Sequence, residues 1–336
     1  MLATDLLQKL IEKKNLTMED SHAFVTQIMD GQVNPIQTGA ILTALRIKRE
    51  TPDEIVGLVR AMREKMIRVD APGAVDICGS GDGSGTFNIS TAVAFVVAGA
   101  GVRVAKHGNR AATSRCGSAD VLEVLGVNLI VSPKRAEKIF HKLGITFLFA
   151  PLYHPATKNV VSLRKELGVR TIFNFLGPLT SPASVKRQLI GMQNKEVAQT
   201  LAHAATQLGY DHLCIVTSDD GLDEVSICAP TTVYEVKGSF RRQYRIDPKK
   251  YGFRSVNNKE LMGGNAQENA MIIKKIFEGK KGAKRDIVLL NSAFLLYIAG
   301  AVDTLKQGIQ KAQDSIDSGK AKKILTSFIE ETQSYE

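Results

Sequence analysis

Three short segments of this sequence combine residue types suited to holding an anion or a metal ion. The first is the run Gly79-Ser80-Gly81-Asp82-Gly83-Ser84-Gly85, followed by Thr86-Phe87-Asn88-Ile89-Ser90-Thr91. Glycines let backbone N–H groups approach phosphate oxygens, and a helix N-terminus adds partial positive charge. Asn88, Ser90 and Thr91 stand where side chains can cap that helix and bind an anion. The run lacks the Gly-Lys-Ser/Thr of a Walker loop and makes a poor dinucleotide fingerprint. A glycine-rich turn between strand and helix is common, so alone this segment is equally well a tight turn with an ordinary cap.

The second segment is Lys106-His107-Gly108-Asn109-Arg110-Ala111-Ala112-Thr113-Ser114, with Ser118 close behind. It follows a predicted strand and offers cations, amides and hydroxyls, a set suited to a phosphate or diphosphate. His107 by itself reads more readily as a hydrogen-bonded structural histidine than as a general base. The third segment is Ser218-Asp219-Asp220-Gly221-Leu222-Asp223-Glu224. Carboxylates at a strand end can hold Mg²⁺, which takes oxygen ligands and keeps waters and phosphate oxygens in its shell. Acidic residues are ordinary in turns. Asp223 and Glu224 are singled out because they are expected to re-enter a strand.

The elements that must position these segments follow from periodicity. The first seventy residues read as four short helices, with Thr17, Asn34-Pro35 and Thr51-Pro52 as starts. Past Asp70-Ala71-Pro72-Gly73 the character changes. Residues 74–78, 102–105, 146–150 and 212–217 read as strands, and 90–100, 134–143, 195–208 and 266–277 as helices. That alternation predicts an α/β unit with a mainly parallel central sheet covered by helices. In such a sheet ligands collect beyond the carboxyl ends of the strands, so the loops should share one rim. The end of the chain, 307–332, reads as two amphipathic helices parted near Gly319.

Composition narrows the class. The chain has 336 residues, 44% of them hydrophobic, enough for a packed core. The four cysteines have no C-x-x-C spacing, which argues against a zinc or redox motif. No stretch is long and apolar enough for a membrane span, and the N-terminus lacks a signal-peptide core, so the cytoplasm is the expected address. The net charge of +10 suits an anionic partner, either nucleic acid or a phosphorylated metabolite.

The three segments and their order resemble the anthranilate phosphoribosyltransferase family. The similarity extends over nearly the whole chain. It includes Arg164-Lys165-Glu166-Leu167-Gly168, Asn174-Phe175-Leu176-Gly177-Pro178-Leu179-Thr180, and residues 263–270 and 291–300. The resemblance implies a small helical domain (1–69, joined by about 153–185) on a larger α/β domain (70–152 and 186–336). It implies transfer of phosphoribosyl from phosphoribosyl diphosphate (PRPP) to anthranilate, in tryptophan synthesis, with two Mg²⁺ per site. It also implies a homodimer with neither nucleic acid nor membrane as partner. Gly79, Asp82 and Thr86 would lie along the diphosphate and ribose. Asn88, Ile89, Ser90 and Thr91 would hold a PRPP phosphate. Lys106, Gly108, Arg110, Ala111, Ala112, Thr113, Ser114 and Ser118 would complete that site. Ser90, Asp223 and Glu224 would bind magnesium. Gly79, Asn109 and Arg164 would contact anthranilate, with His107, His154 and Pro178 lining its approach. Lys106 and Arg164 would be the catalytic pair. The glycine run is one glycine short of the family's Gly-Thr-Gly-Gly-Asp-Gly, so a tightened turn and weaker PRPP binding are expected. The rivals are a pyrimidine nucleoside phosphorylase of the same fold and a nucleic-acid-binding relative without the activity.

Overall fold

The computed structural model describes residues 2–81, 85–111, 115–254 and 256–334, apart from the side chains at 159, 161, 162 and 164. Four helices come first: α1 (Ala3–Ile11), α2 (Met18–Met29), α3 (Pro35–Lys48) and α4 (Pro52–Lys65). Their starts follow the sequence rules. Thr17 accepts from Asp20 N, and Asn34 from Ile36 N with Pro35 next. Thr51 and Glu54 bond each other's backbone N–H reciprocally. Glu54 is fully buried, and it also accepts from Leu16 N and Lys48 Nζ, which joins α3 to α4.

The α/β part runs β1 (Val75–Gly79), α5 (Ile89–Gly99), β2 (Val104–Gly108), α6 (Ser118–Leu125), α7 (Pro133–Leu143) and β3 (Ile145–Phe149). The short helices α8 (Ala150–Tyr153), α9 (Lys158–Leu167) and α10 (Phe173–Leu176) lead to a 3₁₀ turn at Gly177–Thr180. Then come β4 (Arg187–Gly191), α11 (Lys195–Ala205) and β5 (His212–Ser218). The hairpin β6 (Thr231–Lys237) and β7 (Phe240–Ile246) precedes the closing helices α12 (Ala266–Phe277), α13 (Ala283–Ile298), α14 (Leu305–Asp317) and α15 (Lys320–Gln333).

The sheet has seven strands in the order β3-β2-β1-β4-β5-β6-β7. The first five are parallel, and β6 and β7 are antiparallel, which makes the sheet mainly parallel as expected. Its strands point alternate side chains to two cores. Leu189, Cys214, Val216 and Val233 join α5, α13 and α15 on one face. Ile190, Leu213, Ile215, Tyr234 and Val236 face the other way, into a core shared with α11 and with α1 to α4. No helix among the described residues is long and apolar enough to cross a membrane.

Two expectations need correction. Lys106, His107 and Gly108 belong to β2 and not to the loop after it. The parallel ladder to β3 carries pairing through Gly108↔Phe149, so the strand continues past the apolar run. Asp223 and Glu224 do not re-enter a strand: they lie in irregular chain between β5 and β6.

Candidate active site

Strand order reverses at β1, whose neighbours are β2 on one side and β4 on the other. Crevices form at such switch points, beyond the strand carboxyl ends. A cavity of about 350 Å³ opens there, within the range of small-molecule sites. It is walled by the ends of β1 and β2, the start of α5, the Asp223–Glu224 chain and the segment around Pro178.

Two missing side chains allow the acidic segment to cross the strand ends. Gly79 and Gly191 are paired neighbours in the sheet. A Cβ on Gly191 would lie 1.6 Å from the Asp223 carbonyl oxygen, and one on Gly79 would lie 2.5 Å from Asp223 Oδ2. Ser80 Oγ donates to Asp223 Oδ2 at 3.3 Å. Both carboxylates are 8% exposed. Burial, and then the charge of Asp223, push the Glu224 carboxyl up to about 8, against the pull of Lys106 and the Ser90 backbone. Two adjacent buried acids offer the oxygen ligands that a divalent cation takes.

Lys106 is 3% exposed. Its Nζ donates to Ile77 O at 2.6 Å and to Ser90 Oγ at 3.2 Å, which fixes the cation beneath the start of α5. Behind it Asp76, fully buried, accepts from the N–H groups of Ile77 and His107 and from Gln188 Nε2. Burial lifts the Asp76 carboxyl to about 6 in spite of Lys106 and these donors. Asn88 precedes α5 but does not cap it. Its Nδ2 donates to Cys116 O at 3.1 Å and its Oδ1 accepts from Asn269 Nδ2 at 2.9 Å, so the side chain ties α12 to the cavity wall.

The loop after β2 spends several of its donors internally. Asp120 accepts from Ala111 N at 2.9 Å and from Gly117 N at 2.8 Å. The Arg110 guanidinium grips Glu123 and Asp120 on α6, so it is committed to protein carboxylates. Asn109 O accepts from Ala119 N and Ser118 Oγ, while Asn109, Arg110, Ala111 and Ser118 all line the cavity.

The two histidines form a neutral wall behind the cavity. Burial, then His154 and Lys106, hold His107 down to about 3. Burial lowers His154 to about 4. The rings are 5.2 Å apart, and the ring of His107 meets the backbone of Gly177, that of His154 the backbone of Thr180. His107 is at the cavity; His154 is one layer behind it.

Among the predicted residues, Gly79, Thr86, Asn88, Ile89, Ser90, Lys106, Gly108, Pro178, Asp223 and Glu224 also line this cavity. Thr91 does not: it is fully buried on the core side of α5. Asp82, Ala112, Thr113, Ser114 and the Arg164 side chain lie outside the described residues. Cys116, Arg170 and Phe173, which the sequence does not single out, line the cavity as well, as does Ser80 of the glycine run. Arg170 and Phe173 come from the 153–185 stretch, whose crossing between the two parts of the chain was the one available signal.

The chain is similar to known proteins over nearly its whole length. Residues 4–66 match the model for the helical bundle domain of a glycosyl transferase family, and residues 71–322 the model for its a/b domain. An anthranilate phosphoribosyltransferase of Acetivibrio thermocellus is 45% identical over 332 residues, covering 98% of this chain and 96% of that one. The crystal structure of the Thermus thermophilus anthranilate phosphoribosyltransferase is 37% identical, with a TM-score of 0.91, covering 98% of this chain and 100% of that one. The Saccharomyces cerevisiae anthranilate phosphoribosyltransferase, in complex with PRPP and Mg, is 30% identical, with a TM-score of 0.90, covering 99% and 98%. The yeast protein is also solved with 4-fluoroanthranilate.

Proposed function

Because this chain belongs to the anthranilate phosphoribosyltransferase family, we propose that it transfers the phosphoribosyl group of PRPP to the amine of anthranilate and releases diphosphate, a step of tryptophan biosynthesis. The observation that carries this reading is the buried Asp223–Glu224 pair facing Lys106 and Ser90 across the end of β1. One wall is acidic, the other presents a cation and a helix start, and a magnesium diphosphate complements both.

Ser90, Asp223 and Glu224 would hold magnesium, two ions per site, and the metal would neutralise diphosphate oxygens as the leaving group departs. Gly79, Asp82, Thr86, Asn88 and the start of α5 take the diphosphate and ribose. Lys106, with residues 108–114 and Ser118, completes that half. Lys106 acts by position: held by Ile77 O and Ser90 Oγ, it puts charge where negative charge develops. Arg164 pairs with the anthranilate carboxylate and so aims the amine. An aryl amine is already unprotonated at neutral pH, so no strong base is required, and His107 and His154 stay neutral. We further assign the protein to the cytoplasm as a homodimer. The mutually packed α1 and α3 support this, since Ile11, Ile36 and Ile47 stand exposed on them.

The test is loss of anthranilate fluorescence on mixing with PRPP and Mg²⁺. Turnover abolished by EDTA and restored by Mg²⁺ is the expected result, and Asp223→Asn with Glu224→Gln should remove most of kcat. Inert anthranilate together with phosphorolysis of thymidine or uridine would overturn the reading.

A further inference from the structure

The backbone at Gly177–Thr180 is gripped one residue at a time from four places in the molecule. The ring of His107, on β2, meets the backbone of Gly177. Gln188, on β4, donates from Nε2 to Pro178 O at 2.8 Å. Arg63, on α4, donates from Nε to Leu179 O at 2.8 Å. The ring of His154 meets the backbone of Thr180. Two of these grips are wired together. Tyr210 OH donates to Gln188 Oε1 at 3.1 Å and accepts from Arg63 Nη2 at 3.0 Å, with the guanidinium 5.4 Å from the ring centroid. Gln188 is fully buried, and its Nε2 also reaches Asp76 Oδ2 at 3.1 Å. Arg63 Nη1 donates to Leu208 O, so one side chain of the helical part bonds both the Pro178 segment and the chain after α11.

Resting on the functional reading above, we propose that Gln188 and Arg63 are positioning residues for the acceptor, acting through Pro178 and Leu179 to set the acceptor floor of the cavity. Neither Gln188 nor Arg63 lines the cavity; Gly177 and Pro178 do. The donor half has separate supports: the Lys106 bonds to Ile77 and Ser90, and the packing of Asp223 on Gly79 and Gly191. Asp76 keeps two backbone donors when Gln188 is removed, so the alignment of β1 with β2 does not depend on it. The two substrates should therefore respond differently when the clamp is cut. Placement of α4 against the sheet also becomes part of acceptor recognition, through Arg63.

The experiment is steady-state kinetics with each substrate varied in turn, alongside thermal midpoints, for wild type, Gln188→Met, Arg63→Met and Tyr210→Phe. Loss of a buried hydrogen bond that fixes a binding surface should raise KM for anthranilate about tenfold, with KM for PRPP held within about twofold. Tyr210→Phe, which leaves every direct bond to Pro178 and Leu179 intact, should shift the same constant less and keeps the test open where Gln188→Met does not fold. Arg63→Met combined with Tyr210→Phe should fall short of additivity, because the two share one network. Equal rises in both KM values, or a lowered thermal midpoint with unchanged kinetics, would overturn the clamp. A wild type that leaves anthranilate untouched would instead sink the functional reading, and the clamp with it.

Discussion

Asp223 holds its place because two other residues have no side chain. The pair Asp223-Glu224 is legible in the sequence as adjacent carboxylates after a strand, but Gly191 is not legible as their seat. It lies 32 positions earlier (223 − 191), in a strand of five residues whose own sequence, RQLIG, carries little periodic signal. The contact exists only once β4 sits beside β1. Gly191→Ala must push the Asp223 backbone away, since no rotamer relieves a Cβ at 1.6 Å from a carbonyl oxygen. We expect kcat to fall about ten- to a hundredfold, the scale of losing a charge-assisted contact of roughly 1.5–3 kcal/mol, with a rise in the Mg²⁺ needed for half-maximal rate. A Mg²⁺ titration of kcat checks this, and an unchanged curve would detach Gly191 from the carboxylates proposed to hold the metal. Arg164→Ala should raise KM for anthranilate by a similar factor and leave KM for PRPP nearly unchanged; equal effects would give Arg164 a structural task.

Helices α5, α7, α11 and α12 were readable from apolar periodicity and capping residues, within three residues at each end. The hairpin of β6 and β7 was not. On β7, FRRQYRI carries Arg241, Gln243 and Arg245 on one face and sets Arg242 among Phe240, Tyr244 and Ile246 on the other, so its alternation is broken; it is the sheet edge, where charge blocks pairing with another chain. On β6 a buried carboxylate, Glu235, interrupts the apolar run. It is buried because His212 Nε2 at 2.7 Å and Arg242 Nε at 2.6 Å meet it from the strands on either side. Cys214 stands opposite it in the ladder, completing a His-Cys-Glu group that resembles a metal site by residue type. The bonds from His212 and Arg242, with Lys237 at 3.4 Å, already compensate the carboxylate, so an ion-pair network accounts for the group. Burial alone would raise the Glu235 carboxyl; His212 and Arg242 outweigh it and hold the group at about 2, against an ordinary 4.5. The folded pKa is therefore depressed. Its contribution to stability is full above pH 4.5 and is lost as pH falls towards 2. Arg242 and Lys237 are half exposed, so we expect on the order of 2 kcal/mol. Glu235→Gln should lower stability at pH 7 and flatten the acid limb of a stability–pH curve; an acid limb identical to that of wild type would refute the assignment.

Over the whole molecule, alternating β and α patterns after a helical start were enough to read a helical part on a mainly parallel sheet. Association is implied by the family resemblance alone, because the residue pattern does not tell which apolar helix faces stay uncovered. In the structure Ile36 is 81% and Ile47 76% exposed, at the two ends of α3. Single exposed residues need no explanation, but two on one helix, beside Ile11 on the neighbouring α1, suit a second copy of the chain. Size-exclusion with light scattering should show a wild-type dimer and a monomer for Ile36→Lys with Ile47→Lys; a wild-type monomer would exclude the assignment. The core beneath α1 to α4 has a different kind of consequence. Phe24, Ile55 and Leu58 share it with Ile190, Leu213, Ile215 and Val236, residues of the sheet far later in the chain. Helices α1 to α4 precede these strands in the chain by well over a hundred residues, so during synthesis they wait roughly 7–26 seconds, at about 5–20 residues per second, before the sheet can cover their shared apolar faces. Through that interval the nascent helical segment exposes much of the surface that later joins it to the sheet, so its dependence on chaperones should be set during translation rather than by the stability of the finished enzyme.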